Sequence, residues 1–291
     1  MILVNQNSIS DQPKIPPRAI RLPHRWALIL VIPLCLALAA PAFAQDETDT
    51  ERPFNTDRPD ITESPYTVEA GRFQVELSFV EYTRNDAHAV RTEGLLVLPA
   101  NLKVGLLKNL DLQLVLNPYQ SVRTRSGGAS ARDSGLGGTE LRAKVNFWGN
   151  DGGRTAFAAM PFVRFPTGSE GLRDRHLSGG LILPLAVQDL PGGFDVGTMA
   201  ELDVSRETGA SQVDFIHSVT CGHVLFKDKL RGYVEYVGVA PLRGDPTYLA
   251  FFDTGVTYAV SSGVQLDAGV NLGLSREAED FTLFAGVSFR H

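Results

Sequence analysis

Charged side chains recur on alternate residues inside stretches that are otherwise apolar. Arg72 and Glu76; Glu140, Arg142 and Lys144; Glu201 and Asp203; Glu235; and Asp267 share their registers with other polar residues, while Leu, Val and Phe take many of the intervening places. In an extended chain a period of two puts all of them on one face. Two kinds of chemistry suit such a face. Charges around a water-filled bore select the solutes that pass. Rows of opposite sign on neighbouring strands instead pair with one another and fill the space with salt bridges. The residues leave both readings open.

A second group, Asp57, Arg58, Asp60 and Glu63, lies in a polar stretch punctuated by Pro53, Pro59 and Pro65. These charges have the right signs to fold back against the first set as a plug. Equally, Asp60 and Ser64 are ordinary turn and cap residues around Pro59 and Pro65.

Hydrolytic chemistry would need a base and a nucleophile in a recognisable frame. His88, His176, His217 and His223 are the candidate bases beyond the leader, and neither a Gly-x-Ser-x-Gly elbow nor a His-Glu-x-x-His pair accompanies them. His217 and His223, six residues apart on one extended segment, would stand roughly 20 Å apart, too far to share a metal. An enzyme is therefore not expected, nor is any metal or cofactor, since passage through a pore requires no redox or group-transfer step.

The elements that carry these residues are extended segments. Val264, Leu266, Ala268, Val270, Leu272 and Leu274 alternate with Gln265, Asp267, Gly269, Asn271, Gly273 and Ser275, and Phe281 to Phe289 alternates without a break. Similar segments begin at Arg72, Leu95, Leu110, Leu136, Arg154, His176, Phe194, Val213, Arg231 and Tyr248, giving twelve. Short connections rich in Gly, Asn, Asp and Pro, such as Gly149-Asn150-Asp151-Gly152-Gly153, supply hairpin turns. They alternate with longer polar ones, such as Thr124 to Gly135 and Pro166 to Arg175. An even strand number and alternating loop lengths describe an all-β, transmembrane, antiparallel up-and-down barrel with lipid on its oily face. The charged connections Arg84-Asn85-Asp86, Arg123-Thr124-Arg125, Arg173-Asp174-Arg175 and Arg276-Glu277 would then stand on the cell surface. There they could contact lipopolysaccharide or remain solvated.

The N-terminus says where the chain is sent. Lys14, Arg18, Arg21 and Arg25 precede the apolar run Trp26 to Ala40 and the small-x-small site Ala42-Phe43-Ala44, which reads as a secretory signal peptide over residues 1–44. The run is shorter than the ~20 residues of a membrane-spanning helix and contains Pro33. Removing four basic residues and Asp11 takes the formal charge from −6 to −9, which argues against nucleic acid as a partner. Only Cys221 remains, so no internal disulfide is expected. Residues 45–70 form a periplasmic extension or plug, and 71–291 the barrel.

The segment Thr56-Asp57-Arg58-Pro59-Asp60-Ile61-Thr62-Glu63-Ser64-Pro65-Tyr66-Thr67-Val68, followed by Gly71-Arg72-Phe73-Gln74-Val75-Glu76, resembles the opening of the bacterial meta-pathway phenol-degradation family, often labelled simply transporter. Gly135-Leu136-Gly137-Gly138, Phe165-Pro166-Thr167-Gly168 and the near-terminal Phe289 are similar to it too. The likeness runs from about Thr56 to the end. It implies an outer-membrane barrel of a Gram-negative envelope that passes small molecules, hydrophobic or aromatic ones among them. Such barrels usually end on the aromatic itself, whereas Arg290 and His291 follow Phe289 here. The expected partners are outer-membrane lipids and lipopolysaccharide, a small-molecule solute and the barrel-assembly machinery. A structural or adhesive barrel without transport is the alternative, and an outer-membrane hydrolase a more remote one.

Overall fold

A computed structural model describes residues 52–291 apart from 174, 208 and 209. The signal-peptide region and residues 45–51 lie outside the described residues. Every regular element is a strand: β1 Phe73–Ala87, β2 Val90–Val97, β3 Ala100–Leu107, β4 Leu110–Leu116, β5 Tyr119–Ser126, β6 Ala129–Gly135, β7 Thr139–Trp148, β8 Thr155–Phe165, β9 Ser178–Leu190, β10 Phe194–Glu207, β11 Ala210–Phe226, β12 Leu230–Arg243, β13 Leu249–Ser261, β14 Val264–Gly273 and β15 Phe281–Arg290. All pairings between these strands are antiparallel, and β15 returns to pair with β1. Twelve strands (β1, β3, β4 and β7 to β15) close the ring, which is the expected transmembrane up-and-down barrel.

Three further strands arise because the first hairpins outgrow the ring. Leu98, at a positive φ of 55°, bends the chain between β2 and β3, and Asn117-Pro118 separates β4 from β5. Above those bends the upper part of β1 pairs with β2, β2 with β5 and β5 with β6. Arg84-Asn85-Asp86, Arg123-Thr124-Arg125 and most of Thr124 to Gly135 are therefore strand, not loop. This projecting sheet carries polar residues on both faces, so the oily alternation that marks a strand is missing there. His176, assigned to a strand from sequence, lies in the connection before β9.

The two faces of the ring differ as lipid and water require. Outward residues are exposed and apolar: Phe79, Leu106, Leu141, Val163, Leu202, Val219, Val234, Val256, Leu266 and Leu283 are examples. Inward neighbours are polar and buried, among them Gln74, Glu76, Ser78, Lys103, Asp111, Gln113, Lys144, Asp253 and Ser288. A soluble sandwich would show the reverse. The chain end completes the seam: Phe73 N donates to His291 O and His291 N to Phe73 O, with the two rings 5.3 Å apart. Arg290 and His291 thus continue the β15–β1 ladder past Phe289.

Candidate functional site

Residues 52–70 pass through the interior before they become β1. Their root is fixed to the wall by backbone, since Gly71 N donates to Gly105 O at 2.9 Å and Gly105 N to Arg72 O at 3.0 Å. A Cβ on Gly105 would stand 1.9 Å from Glu69 O, so only glycine admits the segment this close. Further along, Val68 N donates to Asp111 on β4 at 2.9 Å and Thr67 N to Asn150 at 3.0 Å. Asn146 Nδ2 of β7 donates to Pro65 O at 2.9 Å.

Deeper in the bore the contacts become ionic. Asp57 receives Lys144 Nζ of β7 at 2.6 Å and Lys103 Nζ of β3 at 2.5 Å, while Lys103 also pairs with Glu76 of β1. The same aspartate accepts Ser64 N at 3.0 Å, and its own N–H donates to both Glu76 oxygens at 3.1 Å. Burial works against the charge on Asp57, yet the two ammonium groups outweigh it and hold the carboxyl well below its usual range. Arg58 closes on Asp267 of β14 and donates to Ser78 of β1. Its guanidinium passes so near β15 that a Cβ on Gly286 would lie 2.6 Å from Nη2. Glu63 pairs with Arg142, which also binds Glu140. Arg164 of β8 links Glu140 to Asp203, with Glu201 3.9 Å away.

On the opposite wall the junction has a different character. Ile61 N and Thr62 N donate to the two oxygens of Glu235 on β12 at 2.8 and 2.7 Å, and Thr62 Oγ1 lies 2.6 Å from Ser218 Oγ. Glu235 stands directly across from Asp253 of β13. Burial, then the neighbouring Glu235 charge, pushes the Asp60 carboxyl well above its usual range. One half of the segment is therefore clamped by opposite charges, and the other rests on a patch of carboxyl groups.

The sequence-marked residues consequently meet in one place, with one exception. Glu76, Glu140, Arg142, Lys144, Glu201, Asp203, Glu235 and Asp267 line the inner face around Asp57, Arg58, Asp60 and Glu63. Arg72 instead sits at the rim before β1 and pairs with Glu69 at 2.9 Å. Lys103, Asp111, Arg164 and Asp253 also belong to the cluster and were not singled out from sequence, although the parity of their strands marks each as inward. His217 and His223 lie on the outer face, where His217 Nε2 is 3.4 Å from Tyr248 Oη and Tyr236 and Tyr248 share a hydrogen bond of 2.7 Å. A cavity between the segment and the wall, touching Arg52, Tyr66, Lys103 and Asn150, has a volume of about 10 Å³, room for about one water.

Several solved structures are similar in fold. An outer membrane channel from Pseudomonas putida F1 is similar at a TM-score of 0.61 and 14% identity, covering 81% of this chain and 100% of that one. The translocator domain of the autotransporter NalP from Neisseria meningitidis follows at a TM-score of 0.48 and 12% identity, over 77% and 90% of the two chains. The transport unit of the autotransporter AIDA-I from Escherichia coli gives 0.44 and 9%, over 89% and 96%. No functionally curated protein matches the sequence. The family described as "Putative MetA-pathway of phenol degradation" matches residues 56–291, the whole barrel together with most of the segment inside it, and the chain belongs to that family.

Proposed function

We propose that this protein is an outer-membrane channel for small molecules, exported by a signal peptide cleaved after Ala44 and held shut by residues 52–70. The single observation that carries the reading is the ionic docking of Asp57, Arg58 and Glu63 onto Lys103, Lys144, Asp267 and Arg142 across the bore. A barrel needing only a filled interior has no use for a separate charged segment, because apolar side chains fill small barrels at less cost. The polar inner rows serve as lining once the segment withdraws. No step in this passage calls for a nucleophile, a metal or a cofactor.

The solute reading favours compact, partly apolar molecules. Beyond the Glu235–Asp253 pair the inner face turns apolar, with Ile216, Val237, Val239 and Phe251 buried there, and Met160, Phe162 and Ile182 on β8 and β9. Such a sector suits hydrophobic or aromatic solutes, in keeping with the phenol-degradation description of the family. Insertion would use the barrel-assembly machinery that reads C-terminal strands.

Liposome swelling and single-channel conductance test the reading, using the full mature chain and a variant lacking residues 52–64. The variant is expected to conduct more and to admit small solutes that the parent excludes. Unchanged conductance would reassign the segment to a structural filling and the protein to a barrel without transport.

A further inference from the structure

The projecting sheet above the ring carries a concentration of arginine that the channel reading leaves unused. Its registers place Arg84, Glu93, Arg123 and Arg132 directly opposite one another across β1, β2, β5 and β6. Two residues further out, Asp86, Arg91 and Arg125 form a second row on the same face. Because Tyr82 and Leu95 occupy the same face two residues lower, and Tyr82 pairs with the outward Leu283 of β15, this is the outer side of the sheet.

Five arginines therefore face outward beside two carboxylates, on a chain whose net charge is −6. Asp86 is shared between Arg84 and Arg91, and Glu93 lies 3.3 Å from Arg125. Arg123 and Arg132 have no carboxylate partner among the described residues. Arg132 is held by hydroxyls, donating to Ser121 Oγ at 2.8 Å and to Tyr119 Oη at 3.2 Å. An open cleft of about 350 Å³ runs between the hairpin tips, with Arg91 and Arg125 in its walls.

Height decides the partner. The rows begin one pleat, roughly 7 Å, above the last apolar and aromatic positions of the same strands, which is the level of headgroups and not of open water. Guanidinium groups bind phosphate through paired donors, and a multiply phosphorylated headgroup matches several arginines set about 5–7 Å apart. We infer that the outer face of β1, β2, β5 and β6 is a docking site for the phosphate groups of lipopolysaccharide, with Arg91, Arg123 and Arg125 as its principal donors. The inference rests on the outer-membrane placement proposed above. Arg84 and Arg132 border the site, and the two carboxylates hold the arginine forks in place when no lipid is bound.

Native mass spectrometry of the detergent-extracted chain with purified deep-rough lipopolysaccharide, intact or dephosphorylated, tests the site. The triple variant Arg91→Ala, Arg123→Ala, Arg125→Ala is expected to bind the intact glycolipid on the order of a hundredfold more weakly. The wild type should bind the dephosphorylated form as weakly as the variant binds the intact one. Replacing the same three arginines by lysine should restore most of the affinity, and Arg154→Ala, an exposed arginine before β8 at the opposite end of the ring, should change nothing. Equal binding by wild type and alanine variant, or equal binding of the two glycolipids, overturns the proposal. Should the alanine variant fail to fold, Arg123→Glu alone is read in the same way, with at least tenfold weaker binding expected and unchanged binding counting against the site. A wild-type chain that shows no mobility difference between boiled and unboiled samples would sink the membrane placement and the docking site together. A normal difference with unchanged binding sinks the docking site alone.

Discussion

The guanidinium of Arg58 closes on the carboxylate of Asp267, 209 residues later in the chain, with Nη2 2.6 Å from Oδ1 and Nε 3.2 Å from Oδ2. This fork joins the segment inside the bore to a strand near the end of the chain. Asp267→Asn should loosen the segment by about 2–3 kcal/mol, below the fully buried case because Arg58 is 17% exposed. Frequent channel openings are expected while the boiled and unboiled gel forms stay distinct. A closed, wild-type conductance trace would show that the pair does not hold the segment.

Docking of the segment should depend on pH in two opposed ways. Asp57 has a lowered pKa when docked, so its contribution is present above the ordinary aspartate value near 3.9 and is lost as the pH falls below it. Asp60 has a raised one, so its neutral form suits the docked state and docking weakens as the pH climbs from about 3.9 toward the raised value. Conductance recorded against pH should be lowest at roughly pH 4. In Asp60→Asn the rise on the alkaline side should shrink, and the acid-side rise should remain.

Glu279 provides a separate pH response at the outer end. It lies between β14 and β15, is buried, and accepts a hydrogen bond from Thr282 Oγ1 at 3.3 Å. Burial pushes its carboxyl up to about 7 from 4.5. The neutral acid fits the folded connection, so the connection is most stable below pH 4.5 and loses stability as the pH rises from there toward about 7. Amide protection factors over residues 274–280, corrected for the intrinsic exchange rate, should fall across that window in the wild type and stay flat in Glu279→Gln.

The oily exterior is tested at Val219, an exposed apolar residue midway along β11. Val219→Arg should cost about 2–4 kcal/mol in a bilayer, measured by urea titration of the folded form in liposomes. Val219→Leu should be nearly silent. A silent arginine would place this face in water.

Alternation alone exposes the ring. β14 and β15 carry it without interruption, and their inward Asp267, Asn271, Thr282 and Ser288 can be named before any coordinates. The projecting strands could not be read this way, because Arg84, Asn85 and Asp86 are polar on both faces and look like a loop. Lys103 and Asp253 were passed over as single charges in apolar stretches, although the parity of Leu102 and Val104, or of Phe252 and Thr254, turns each inward. The convergence of Asp57, Lys103 and Lys144 has no local signature, since it arises only when β3 and β7 come round to either side of β4.

The seam between β1 and β15 does more than join edges. Arg290, one residue from the terminus, donates to the carbonyls of Pro53 and Arg52 and lies 5.4 Å from the ring of Phe54, while His291 completes the ladder to Phe73. The residues that close the wall thus also grip the segment inside it. Wall and cork share one fastening, so removing Arg290 and His291 would undo the closing stitch and the stopper's tether at once.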